Sequence, residues 1–271
     1  MNSPLVENYF RVDKLPHIWC PGCGHGIIMA AMGRAIENLG LDKDKVCIVS
    51  GIGCSSRAPG YMDFNTLHTT HGRALAFATG VKLANPELEV IVVAGDGDLS
   101  AIGGNHLIHA ARRNINITTI CFNNNIYGMT GGQYSPTTPT HEKGTTAPYG
   151  NIDRPFDITQ LAGGAGATYT AKTTVFHATQ MQKFIEAAIQ HKGFSLVEAI
   201  SICPTYYGRK NKKGSVVDMM NFLKDSFVDR KVAEKLPPEK VEGKFLMGEF
   251  VNKVEPEYTE LYDGIIERLK K

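Results

Sequence analysis

A chain of 271 residues, 42% hydrophobic and 21% charged with 28 glycines and 13 prolines, has the composition of an ordinary globular protein. Its formal net charge of +2 gives no electrostatic case for a nucleic-acid or membrane-surface partner. The segment Met1 to Arg11 carries no apolar signal-sequence core, and no apolar run reaches the roughly 18 to 20 residues that cross a bilayer, so a cytoplasmic location is expected.

At this length about 75% of the unfolded surface can be buried, enough for one large domain. Apolar runs of strand length alternate with helix-length segments up to about residue 200, the pattern of an α/β fold with a parallel sheet and helices on both faces. In chain order the pattern predicts a helix over Gly24 to Leu39, a strand over Val46 to Ser50 and a helix over Gly72 to Leu83. Next come a strand over Val90 to Ala94, a helix over Ser100 to Arg112 and a strand over Ile117 to Phe122. A helix over Asp157 to Gly163, a strand at Thr168 to Tyr169, a helix over Phe176 to His191 and a strand over Ser195 to Ala199 complete the series. Asn124 to Pro155, rich in Gly, Pro and Thr, is too long for a plain connection and reads as a functional loop. Residues 1–205 are expected to form the main domain. Residues 206–271, charged and without alternation, are expected to be an irregular C-terminal extension packing on a partner subunit.

Three chemical signals follow strand ends, where ligands bind in sheets of this kind. Gly95-Asp96-Gly97-Asp98 follows one strand, and Asn123-Asn124-Asn125 follows the next. A carboxylate and an amide oxygen at adjacent strand ends supply the hard oxygen ligands that Mg²⁺ prefers when phosphates complete its shell. The flanking glycines allow close backbone approach, and a following helix start offers free N–H groups to an anion. The third signal is four cysteines. Cys20 and Cys23 form a Cys-x-x-Cys pair, Cys54 ends Gly51-Ile52-Gly53-Cys54, and Cys203 follows the last strand. Four thiolates from loops at one edge can hold Zn²⁺ or an iron–sulfur cluster, and the spacing alone leaves both open. Cys47 and Cys121, inside apolar strands, read as buried thiols.

The spacing from GDG to NN resembles the thiamine diphosphate motif, and NNNIYGMTGGQYSPTTP resembles the beta subunits of the 2-oxoacid:ferredoxin oxidoreductases. The likeness extends over about Tyr9 to Arg209. It implies one 4Fe-4S cluster on Cys20, Cys23, Cys54 and Cys203, and Mg²⁺ on the Asp96 and Asn124 side chains and the Ile126 carbonyl. It further implies a diphosphate cradle of Gly53, Cys54, Gly95, Asp96, Gly97, Asp98, Asn124, Tyr127, Gly128, Met129 and Thr130. His71, in a His-Gly-Arg run, is expected at the diphosphate or thiazolium side, and Arg57 at the carboxylate of a 2-oxoacid. His25, beside Cys23, either tunes the cluster or packs.

The implied reaction is oxidative decarboxylation of a 2-oxoacid with coenzyme A, electrons leaving singly through the cluster to ferredoxin; reverse carboxylation uses the same site. No second, pyrimidine-binding half is visible, so an alpha subunit is expected to supply it, with room for further small subunits. The LPHIWCPGCGHG and MTGGQYSPTTP segments resemble 2-oxoglutarate-type beta subunits most, with pyruvate and branched-chain 2-oxoacids next. A non-redox thiamine decarboxylase subunit leaves the cysteines unexplained, and a zinc-stabilised binding module leaves GDG and NN unexplained.

Overall fold

The computed structural model describes residues 3–270. Ten strands are present among them: β1 (Val46–Ser50), β2 (Asn65–His68), β3 (Glu89–Gly95), β4 (Ile117–Asn123), β5 (Ile126–Tyr127), β6 (Gln133–Tyr134), β7 (Tyr169–Thr174), β8 (Phe194–Ile200), β9 (Phe227–Asp229) and β10 (Phe245–Asn252). Eight of them form one sheet in the order β2-β1-β3-β4-β8-β7-β10-β9, while β5 and β6 make a small hairpin beside it. From β2 through β7 every neighbouring pair is parallel; β10 joins β7 antiparallel, and β9 joins β10 parallel.

The helices are α1 (Pro4–Tyr9), α2 (His25–Asn38), α3 (Ala58–Tyr61), α4 (Ala74–Ala84), α5 (Gly104–Arg113), α6 (Ile158–Gly164), α7 (Ala178–Gln190), α8 (Val216–Ser226), α9 (Arg230–Ala233), α10 (Pro238–Val241) and α11 (Tyr258–Leu269). Strand alternation sends successive side chains to opposite faces. Ile91 and Val93 join Ile120, Phe122 and Val197 in a core with Ile28, Met32 and Ile36 of α2 and Met181 and Ile185 of α7. Val90 and Val92 pack on the opposite face with Leu75 of α4, Leu107 of α5 and Ile158 of α6. Each fully buried Ile or Leu contributes about 1.5–3 kcal/mol, and both faces are covered, which is why these strands read as unbroken apolar runs.

All five strands expected from the sequence form, with ends moved by a residue or two except β7, which continues to Thr174. Strand β2 gave no apolar signal because it is an edge strand whose side chains are partly exposed. The helix expected from Ser100 begins differently: a π-helical turn spans Asp98–Ile102, and α5 starts only at Gly104. Such turns concentrate at functional sites because the extra residue per turn re-aims backbone groups.

The segment after residue 205 is regular rather than irregular. Helix α8 opens with a capping box in which Ser215 and Asp218 satisfy each other's backbone N–H. Strands β9 and β10 extend the main sheet. The approach to α11 is tied down by Asn114, whose Nδ2 donates to the Pro256 carbonyl at 3.1 Å, and by Glu257, whose Oε1 accepts from the Asn116 N–H at 2.9 Å. Both anchors are made with residues far away in sequence, so no local pattern announces them. Among the described residues no helix is long and apolar enough to cross a membrane.

Candidate active site

Because β1, β3, β4 and β8 are parallel neighbours, their carboxyl ends meet at one edge. Cys54 lies beyond β1, Asp96 beyond β3, Asn124 beyond β4 and Cys203 beyond β8. Cys20 and Cys23 arrive on the loop before α2, fastened to this edge by the Ile202 N–H donating to the Cys23 carbonyl at 3.2 Å.

Asp96 is buried. Its Oδ2 accepts from the hydroxyls of Ser135 at 2.5 Å and Thr137 at 2.6 Å. Both hydroxyls therefore crowd one carboxylate oxygen and leave Oδ1 without a side-chain partner. Burial pushes the Asp96 carboxyl up to about 6, against the opposing pull of the two hydroxyls. Asn124, also buried, turns its Oδ1 to the Ile126 N–H at 3.3 Å, fixing the loop that carries the Ile126 carbonyl. Asn123 braces the base: its Nδ2 donates to Glu198 at 2.8 Å, and its Oδ1 accepts from the Asn125 N–H at 3.0 Å. A free carboxylate oxygen, an amide oxygen and a nearby carbonyl are the donor set that suits Mg²⁺ with bound phosphates.

Gly97 packs flat against Tyr127: a Cβ there would lie 2.3 Å from the ring, while the Tyr127 hydroxyl donates to the Gly97 carbonyl at 3.1 Å. Gly53, at φ +132°, has no heavy atom within 4 Å of a hypothetical Cβ, so its backbone is open to a ligand. At Gly95 a Cβ would stand 3.3 Å from the Ser55 hydroxyl, a buried group with no partner in the described residues. Met129 is exposed, and Thr130 is engaged with Gln133 at 2.6 Å.

Asp98, expected in the diphosphate cradle, does other work. Its Oδ1 accepts from the Gly72 N–H at 2.7 Å and the Ile52 N–H at 3.3 Å and meets His71 Nδ1 at 2.5 Å. Its Oδ2 sits where a Gly51 side chain would be, 2.1 Å from a hypothetical Cβ, so only glycine fits at position 51. Burial raises its carboxyl, opposed first by the Gly72 amide. The residue thus pins the loops after β1 and β2, and its charge faces into the protein rather than towards an incoming phosphate. With Nδ1 held by Asp98, His71 stands 6.1 Å from Tyr127, edge to face, and has Nε2 to offer a ligand.

Two of the thiols meet beside Gly128. A Cβ at Gly128 would lie 3.4 Å from Cys54 Sγ, 3.6 Å from Cys203 Sγ and 3.8 Å from Asn124 Nδ2. This one backbone position therefore borders both sulfurs and the expected metal-ligating amide. Cys20 Sγ accepts from the Thr205 hydroxyl at 3.2 Å, and Trp19 Nε1 donates to the Cys54 carbonyl at 2.6 Å. Burial, reinforced by the neighbouring thiols, pushes Cys54 up to about 12 and Cys23 up to about 11. A bound metal reverses that preference by holding each sulfur as thiolate. Among the described residues no three His, Cys, Asp or Glu side chains converge on a single-ion site. A four-iron cube places its four thiolates farther apart than one tetrahedral Zn²⁺ does, because each binds its own iron. His25 is buried between Trp19 and Phe122, both edge to face, with neither ring nitrogen bonded, and burial lowers it to about 4.

Arg57 is exposed on the turn after Cys54 and, among the described residues, has no ion-pair partner. Sequence reasoning missed Ser135, Thr137 and Asn123 as supports of the metal site and Trp19 as a support of the thiol loop. The hydroxyl-rich run Ser135-Pro136-Thr137-Thr138 was the one available hint.

A prediction follows from Asp96. With its folded value near 6 and an ordinary value near 3.9, this carboxyl favours the native state in acid, fully below about pH 4, and loses that contribution as pH rises through 6. Above that the protein holds a buried charge that a divalent cation bound there would offset. The rise in Tm produced by Mg²⁺ with thiamine diphosphate should therefore be small near pH 5 and full by about pH 7.5. An equal rise at both pH values in thermal-shift measurements would contradict this.

The fold and the strand-end oxygen ligands define a thiamine-enzyme domain: residues 51–199 match the family described as thiamine pyrophosphate enzyme, C-terminal TPP binding domain. The chain is 54% identical over 265 residues to 2-oxoglutarate synthase subunit KorB of Methanothermobacter marburgensis, covering 98% of this chain and 93% of that one. It is 45% identical over 190 residues to the 2-oxoacid:ferredoxin oxidoreductase subunit beta of Saccharolobus solfataricus, covering 69% of this chain and 62% of that one. Among solved structures it is similar to 2-oxoglutarate:ferredoxin oxidoreductase from Magnetococcus marinus with 2-oxoglutarate, coenzyme A and succinyl-CoA bound, with a TM-score of 0.86 and 35% identity over 97% of this chain and 90% of that one. The chain belongs to the beta subunits of the 2-oxoacid:ferredoxin oxidoreductases.

Proposed function

We propose that this beta subunit, joined to an alpha subunit that supplies the pyrimidine-binding half of the cofactor site, converts 2-oxoglutarate and coenzyme A to succinyl-CoA and CO₂. Two electrons and a proton are released, and the electrons pass one at a time through a 4Fe-4S cluster on Cys20, Cys23, Cys54 and Cys203 to ferredoxin. The observation that carries this reading is that the Cys54 and Cys203 sulfurs and the Asn124 amide all border one backbone position, Gly128. The names of the similar proteins support the choice of acid, and pyruvate and branched-chain 2-oxoacids are next in order.

When bound, thiamine diphosphate supplies the carbanion chemistry. This chain's part is placement: Asp96 Oδ1, Asn124 and the Ile126 carbonyl would hold Mg²⁺, and Gly53, Gly95 and Gly97 would let the backbone approach the diphosphate. Tyr127, Gly128, Met129 and Thr130 close over that cradle. His71, fixed by Asp98, presents Nε2 to the cofactor side, and Arg57 meets the substrate carboxylate. A cytoplasmic location belongs to the same reading.

The test is anaerobic co-expression with the alpha subunit and assay of viologen reduction with each acid in turn. Reduction that requires both 2-oxoglutarate and coenzyme A is expected; reduction from pyruvate alone would overturn the assignment of the acid. Arg57→Ala should raise KM for the acid by about tenfold with KM for coenzyme A unchanged, the loss of one exposed charge-assisted contact. Equal effects on both constants would remove Arg57 from the substrate site.

A further inference from the structure

Outside the cavity edge that receives substrate, the Cys-x-x-Cys loop faces a second feature. A groove of about 520 Å³ runs along it, lined by Cys20 and Cys23, by Leu5, Val6 and Ile27, and by Val216 and Met220 of α8. No Asp or Glu is among the described residues that line it, and its one charged lining residue is Arg34. Cys20 is exposed at this groove.

Helix α8 is preceded by a basic loop, Arg209-Lys210-Asn211-Lys212-Lys213. The loop is rigid. Asn211 Oδ1 accepts from the Lys143 N–H at 2.7 Å, and Asn211 Nδ2 donates to the Lys143 and Tyr207 carbonyls, both at 3.0 Å. Lys213 is paired with Glu142 at 2.5 Å and lies over the Tyr207 ring. Lys143, Arg209, Lys210 and Lys212 are exposed and, among the described residues, none has an ion-pair partner. The patch also reaches back to the cluster loop: Arg209 is four residues from Thr205, whose hydroxyl touches Cys20 Sγ. Four residues span at most about 14 Å.

An apolar strip beside the most exposed thiol, with unpaired cations on the loop leading into its α8 wall and no acid among its described lining residues, has the anatomy of a protein docking site. Resting on the function proposed above, we infer that this groove and the Arg209–Lys212 patch seat a small acidic one-electron carrier protein, with its redox centre against the Cys20 edge. The cations raise the encounter rate and set the orientation, while the apolar strip excludes water at the point of transfer. Because the cations lie on the surface, the attraction is screened by salt.

The test uses the alpha–beta complex carrying Arg209→Glu and Lys210→Glu. Lys212 is retained because its backbone sits at φ +51° and is better left undisturbed. With an acidic ferredoxin as acceptor, KM for the ferredoxin should rise by about tenfold or more at low ionic strength, and its dependence on salt should flatten or invert. Viologen reduction and KM for coenzyme A should stay at the wild-type values. Unchanged ferredoxin kinetics overturn the docking surface, as does a rise in KM for coenzyme A in place of ferredoxin. Loss of viologen reduction in the wild-type complex would instead overturn the underlying function, so the two failures are separable. A wild-type ferredoxin KM that does not rise between low and high salt would independently overturn the electrostatic basis.

Discussion

Replacing Asp96 with alanine is expected to abolish retention of Mg²⁺ and thiamine diphosphate while leaving the fold in place. The carboxylate is a charged oxygen donor at the strand-end site, and its Oδ1 is the oxygen the two hydroxyls leave free. Loss of a residue that merely orients a metal ligand costs about 10- to 100-fold in affinity, so loss of the charged ligand itself should exceed about 100-fold. Folding should survive, because burial already disfavours the ionised form of Asp96. The hydroxyls left behind, Ser135 and Thr137, are 3.1 Å apart and can bond to each other. Cofactor content of the purified variant and its far-ultraviolet circular dichroism check both parts. Wild-type thiamine diphosphate content would remove Asp96 from the metal site, and an unfolded variant would show that the carboxylate has a structural role.

Cys54→Ser should have the second largest effect, taking the cluster and sparing the cofactor. The Cys54 and Cys203 sulfurs both border Gly128, and the Cys54 carbonyl is held by Trp19. An oxygen ligand in place of a thiolate binds iron less well, as expected for a softer metal site. Iron content should fall below four per chain and the brown absorbance should bleach, with ferredoxin reduction lost. The Asp96 and Asn124 side chains are untouched by this substitution, so thiamine diphosphate should still bind. Full absorbance with full ferredoxin reduction would contradict the ligand assignment.

The parts of this protein that could be read in advance are those whose causes are local. The strand Val90 to Ala94 is apolar throughout because both of its faces are covered, and the glycine-flanked Asp96 and the Asn123–Asn125 run stand directly at strand ends. What could not be read depends on distant partners. Ser135 and Thr137 reach Asp96 across 39 and 41 residues, and nothing near them in sequence announces it. Asp98 has the same local setting as Asp96, yet the π-helical turn sends it towards Gly51 and Gly72 rather than the open edge. Strand β10 lies in a charged stretch, pairs antiparallel with β7 through an irregular register, and exposes part of its length. Its signal was weak because burial, the cause of strand patterning, is incomplete there.

On the function proposed above, substrate electrons enter an iron–sulfur cluster seated beside the cofactor on this chain. This is tested most directly by freezing the anaerobic alpha–beta complex shortly after adding 2-oxoglutarate and coenzyme A and recording its electron paramagnetic resonance spectrum. The expected result is a reduced-cluster signal that requires the 2-oxoacid, vanishes without thiamine diphosphate and is absent in Cys54→Ser. Release of CO₂ from 2-oxoglutarate with the cluster remaining oxidised and silent would contradict it.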